Sequence, residues 1–159
     1  MRIRFTKKAD GRHRLTVVRD DGTVSQGQMV PGLGRDAIPH DLLHALVERA
    51  LTLRRGVYGL VNTGLGIAEL LDPSYKPSTK GEPELMVSEI ATTLLQGEAA
   101  YGLPPEDFAT RLRDQCSQHG VPVPAIDAGV LAALRASRHD YQRRWQALAV
   151  GDTVDVDVP

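Results

Sequence analysis

His40 and His44 stand four residues apart in the stretch Pro-His-Asp-Leu-Leu-His, residues 39 to 44. On a helix that spacing sets two imidazoles on one face. Glu48 follows four residues later, about 40° further around. Two imidazoles and a carboxylate on successive turns are a donor set for a divalent ion such as zinc or iron. Asp41 occupies the place where a His-Glu-x-x-His metalloprotease helix carries its general base. It is one methylene shorter than Glu, so water activation by it would need altered geometry. The sequence therefore offers His40, His44 and Glu48 as metal ligands and Asp41 as a catalytic or ligand-supporting residue. Further ligands have to come from elsewhere. Glu89, Glu98, His139 and Asp140 are candidates that no spacing distinguishes.

The same positions suit a structural role. Leu42, Leu43, Leu46, Val47, Ala50 and Leu51 define a broad apolar stripe, and the two histidines fall on its edge. His40 could bond carbonyls of the loop before Pro39, and Asp41 could act on the helix dipole. Glu48 could pair on the surface with Arg49, Thr52 or Arg55.

The helix that carries these residues is expected from Pro39, suited to a first turn, to Arg54 and Arg55, whose charges complement its C-terminal end. Gly56 stops it. Before it, Met1, Ile3 and Phe5 alternate with Arg2, Arg4 and Thr6 as in a half-buried strand. A second strand spans 12–19, with His13, Leu15 and Val17 on one face, and Asp-Gly at 21–22 marks the next hairpin. A weaker third strand covers 23–28, and 29–38 is loop. Short helices are expected at about 57–62 and 66–71, and a mobile polar loop at 72–82. Longer helices follow at about 84–100, from Pro104-Pro105 to Gly120, and at 128–147 behind an Asp127 cap. Val154, Val156 and Val158 alternate with Thr153, Asp155 and Asp157 in a last strand.

Residues 1–19 carry Arg2, Arg4, Lys7, Lys8, Arg12, Arg14 and Arg19 against one acid, Asp10. A basic sheet could bind phosphates, but its one aromatic, Phe5, belongs to the apolar face. Pairing of the first and last strands, Arg2 and Arg4 against Asp155 and Asp157, is the better account. It predicts that the two ends of the chain meet, and it makes nucleic acid an unfavoured partner.

The 159 residues are 42% apolar and 25% charged, with a net charge of −1. These are ordinary values for a globular domain. The single cysteine, Cys116, rules out an intrachain disulfide and Cys-based zinc sites. With no signal-like or membrane-length apolar run, the protein is expected to be cytoplasmic, without a membrane partner. Gly64-Leu-Gly66 lacks a third glycine, Cys116 and His119 lack an orienting partner, and Arg135, Arg138, Arg143 and Arg144 read as a solvated helix face.

Pro39 to Glu48, with Trp145-Gln-Ala-Leu-Ala-Val-Gly-Asp before the last strand, resembles the signature of an uncharacterised family of small bacterial proteins. That resemblance implies an α+β domain and no particular activity. His40, Asp41 and His44 also resemble the His-Asp-x-x-His motif of the ubiquinone-biosynthesis scaffold family, proposed to hold zinc; the place of that family's further Glu is Gly56 here.

The expectation is a single α+β domain over 1–159: a small antiparallel sheet of the N-terminal strands (1–28) and the C-terminal strand (152–158), packed with four or five helices from the middle (39–148). The favoured function is a small soluble binding or interaction protein without catalysis. The alternative is a metal-binding protein, with hydrolysis as its catalytic form and a divalent metal such as zinc as cofactor. Partners and oligomeric state are not readable from the sequence.

Overall fold

The computed structural model describes residues 1–29, 37–70 and 82–159. The expected polar loop at 72–82, apart from Glu82, and most of the loop at 29–38 lie outside the described residues. Three strands open the chain, β1 (Arg2–Lys7), β2 (His13–Val18) and β3 (Val24–Met29). The last strand, β4 (Thr153–Asp157), pairs antiparallel with β1, so the sheet order is β3-β2-β1-β4. The period-2 pattern has the expected consequence: Ile3, Phe5, His13, Leu15, Val17, Val154 and Val156 are buried on one face.

On the wet face Arg2 lies opposite Asp157 and Arg4 opposite Asp155. Arg4 grips Asp155 through two hydrogen bonds of 2.9 Å. The Arg2 guanidinium reaches Asp157 at 3.0 Å. Cross-strand ion pairs of this kind contribute about 0.2–1 kcal/mol each. Met1 and Val158 exchange backbone contacts, so the two ends of the chain meet.

Six α-helices stand among the described residues: α1 (His40–Leu51), α2 (Val57–Asn62), α3 (Ile67–Leu70), α4 (Pro83–Tyr101), α5 (Phe108–Gln118) and α6 (Ala128–Ala147). The short α2 and α3 bring the number above the expected four or five. Asp127 caps α6 by accepting the Val130 N–H at 2.8 Å. No helix among the described residues is long and apolar enough to cross a membrane.

Helix α1 is the hub. It packs against α2, α4, α6 and β4, and it is buried nearly all round, from Leu42 through Glu48 and again at Leu51. It ends earlier than expected. Thr52 takes a left-handed conformation (φ 52°), and the Leu53 N–H turns back to the Glu48 carbonyl at 2.9 Å. That turn buries Leu53. Arg54 and Arg55 therefore lie beyond the helix and do not complement its dipole. Their backbone N–H groups donate to Glu84 at 2.6 and 2.7 Å, and the Arg55 guanidinium pairs with Glu82.

The basic face of α6 is not uniformly solvated either. Arg138 is buried and donates to the Leu95 carbonyl, while Arg135 binds Glu98. Trp145 and Tyr141 of α6 reach the sheet: Trp145 stacks edge-on to His13, and the Tyr141 hydroxyl donates to the Asp155 carbonyl at 3.1 Å.

Candidate metal centre

Helix α4 lies alongside α1 and turns Ser88, Glu89, Thr92 and Gln96 toward the two histidines. The rest of its packed face is apolar, with Val87, Ile90, Ala91, Leu94 and Leu95 buried. His44 is buried and His40 half-buried, as their place at the edge of the apolar stripe implied.

The hydrogen-bond partners favour one tautomer for each imidazole. His40 Nδ1 is 3.1 Å from the Gln96 Oε1. A carbonyl oxygen only accepts, so Nδ1 carries the proton. His44 Nδ1 is 3.0 Å from the Ser88 Oγ and 3.3 Å from the Thr92 Oγ1. The one hydroxyl proton of Ser88 is donated to Glu48 Oε1 at 2.9 Å. Ser88 therefore presents lone pairs to His44, whose Nδ1 donates. With both neutral rings in that tautomer the Nε2 atoms carry no proton, and they stand 3.1 Å apart.

Two lone pairs at that distance repel unless a proton or a cation lies between them. Burial, and then the neighbouring His44, hold His40 below the usual imidazole range. That disfavours the charged imidazolium at His40. Two imidazoles bound to zinc at about 2.0–2.1 Å, at a tetrahedral angle, would hold their nitrogens about 3.3 Å apart. The observed spacing is close to that bite.

A carboxylate completes the cluster. Glu89 Oε2 is 3.5 Å from His44 Nε2, and one donor atom each from His40, His44 and Glu89 lie within 4.8 Å of one another. The Glu89 side chain is half-exposed, so one side of the cluster opens to solvent. Its carboxyl is held below the usual range, chiefly by the neighbouring His44 and against the cost of burial.

Glu48 is not in this cluster. It is fully buried and points beneath His44 to Ser88 and to the backbone of α2. Its Oε2 accepts the Tyr58 N–H at 3.0 Å and the Gly59 N–H at 3.4 Å. Burial pushes its carboxyl up, opposed by His44 and by these hydrogen bonds. It makes none of the surface pairings weighed for it. Gly56 leaves the space it needs, because a Cβ there would collide with the Glu48 carboxyl carbon.

Asp41 also turns away from the cluster. Its Oδ2 is 3.0 Å from His13 Nε2, off the line of a good hydrogen bond, and neither ring nitrogen of the buried His13 has an aligned partner among the described residues. The other candidate ligands are engaged elsewhere: Glu98 with Arg135, Asp140 with Arg143, and His139 beside Arg138. Cys116 is a buried core residue whose thiol is pushed up by burial.

Ser88, Thr92 and Gln96 were missed by sequence reasoning. They recur every four residues on a helix whose other buried side chains are apolar, a polar stripe that is a readable signal for a buried network.

The fold and the cluster define an α+β protein with a two-histidine, one-carboxylate donor set shared by two helices. Compared with known proteins, the chain matches no family model, no curated protein and no solved structure.

Proposed function

We propose that the protein binds a divalent transition-metal ion between α1 and α4, with His40 Nε2, His44 Nε2 and Glu89 Oε2 as ligands. The observation that carries this reading is the approach of the two Nε2 atoms to 3.1 Å, with both Nδ1 atoms engaged on the opposite side by side chains of α4. Glu89 takes the place in the ligand set for which Glu48 was considered.

Imidazole donors favour ions such as zinc or iron(II) over magnesium or calcium. Three protein ligands leave room for water or an exchangeable ligand, on the side where Glu89 reaches solvent. Asp41 faces His13, so the reading is one of metal binding and ligand exchange, with no hydrolytic role for Asp41. A protein in which the two histidines merely orient a loop would direct their N–H groups to loop carbonyls; here both Nδ1 atoms turn to side chains of α4.

The test is metal uptake. Protein stripped with a chelator is titrated with Zn(II), Fe(II) and Mn(II), and bound metal is measured after desalting. One ion per chain is expected, preferring zinc or iron(II), and lost in His40→Ala and His44→Ala. Glu89→Gln, at a half-exposed position that leaves the fold intact, weakens binding. Folded wild-type protein that retains no metal overturns the proposal.

A further inference from the structure

Glu48 is an acid in the interior of the molecule, on a helix whose neighbouring positions are Leu46, Val47 and Leu51. Burying a carboxylate is expensive unless its oxygens are satisfied. Here they are satisfied in a directional way. Oε2 faces the Tyr58 and Gly59 N–H groups. These can only donate, so that oxygen is occupied as an acceptor. Oε1 is left for the Ser88 hydroxyl. Ser88 then has only lone pairs to offer its other neighbour, the His44 Nδ1.

We infer that Glu48 is a positioning residue: through the Ser88 hydroxyl it fixes the tautomer of His44 and so selects Nε2 as the nitrogen left free to bind a metal. The purpose of this relay rests on the metal reading, but the tautomer is set in the metal-free protein and can be read there. His40 has a separate and uncharged holder, Gln96. The two imidazoles are thus controlled independently, and a change at Glu48 reaches His44 alone.

Glu48→Gln reverses the relay at nearly constant volume. The new carbonyl oxygen is still required by the Tyr58 and Gly59 N–H groups, so the amide NH2 faces Ser88 and donates to it. The Ser88 proton is released toward His44 Nδ1, and the ring proton moves to Nε2. The nitrogen meant for the ion is then blocked by its own hydrogen.

The experiment is long-range 1H–15N correlation on protein labelled at histidine nitrogen, without metal, at a pH where the rings are neutral. It is paired with Zn(II) titration of the same samples. Wild type should show Nδ1–H tautomers at both His40 and His44. Glu48→Gln should move His44 to Nε2–H, leave His40 unchanged, and weaken zinc about 10- to 100-fold, the usual effect of removing a residue that orients a ligand. Ser88→Ala, which interrupts the relay and leaves only Thr92 against Nδ1, serves if Glu48→Gln does not fold; it should mix the His44 tautomers.

An Nε2–H His44 in wild type, or an unchanged His44 in the folded variants, overturns the inference. The two proposals fail separately. Spectra as expected with no zinc uptake by wild type sink the metal reading and leave the relay. Equal zinc affinity and equal tautomers in wild type and Glu48→Gln sink the relay and leave the metal site.

Discussion

The Nε2 atoms of His40 and His44 face each other across 3.1 Å while both Nδ1 atoms are engaged by α4. A ligand that fills this gap is absent from the unfolded chain, so it stabilises the folded state by mass action. A metal at about a hundred times its Kd contributes about 2.7 kcal/mol, which in a chain of this size raises Tm by roughly 5–10 °C. Thermal unfolding of chelated and metal-loaded protein measures this. The shift should vanish in His44→Ala.

Much of this arrangement was legible in the sequence, and the part that was not has a common cause. The strands followed from alternation at Met1–Phe5 and at Val154–Val158, and their pairing from opposite charges at Arg4 and Asp155. The shared face of His40 and His44 followed from their spacing. Spacing also put Glu48 on nearly that face, but it cannot register that α2 folds over the same turn of α1 and supplies two N–H groups to the carboxylate. Glu89 stood as one of four equal candidates because only the packing of α4 along α1 sets it apart from Glu98. Helix periodicity describes one element. Which elements touch is decided by the whole core.

Gly56 should tolerate no side chain. Its backbone is ordinary (φ −72°), so the obstacle is the collision of a Cβ with the Glu48 carboxyl group. Gly56→Ala should destabilise the protein by about 1–3 kcal/mol, the usual cost of overpacking, measured by urea unfolding. It should also weaken metal binding, because Glu48 has to move.

Asp155 gives a pH dependence with a definite sign. The hydrogen bond from Arg4, with the charge of that guanidinium, holds its carboxyl below the ordinary value. A group with a lowered folded pKa stabilises above its unfolded pKa, about 3.9 for Asp, and loses that contribution as pH falls through the folded value. The stability gap between wild type and Asp155→Asn should therefore be constant near neutrality, at about 0.2–1 kcal/mol for a cross-strand pair. It should close only in acid. Urea midpoints of both proteins across the acid range would show this; a gap that widens in acid contradicts it.

Thr52 is a β-branched residue at φ 52°, a conformation that costs an L-residue about 1–2 kcal/mol. Thr52→Gly removes that strain, offset in part by the greater freedom of Gly in the unfolded chain. A net gain of about 0.5–1 kcal/mol is expected in urea unfolding, with the metal affinity unchanged.

The sheet order places β1 between β2 and β4, and Arg4 meets Asp155 across 151 positions of sequence. During synthesis β1 and β2 can zip together early, but the other edge of β1 has to wait for a partner made much later. Over that interval it is an open row of N–H and C=O groups able to recruit the β4 of another copy. Closure over so long a span is also slow. At high concentration, refolding of this protein should therefore yield strand-exchanged dimers, and the Arg–Asp pairs that seal the junction in one copy would seal it equally well between two.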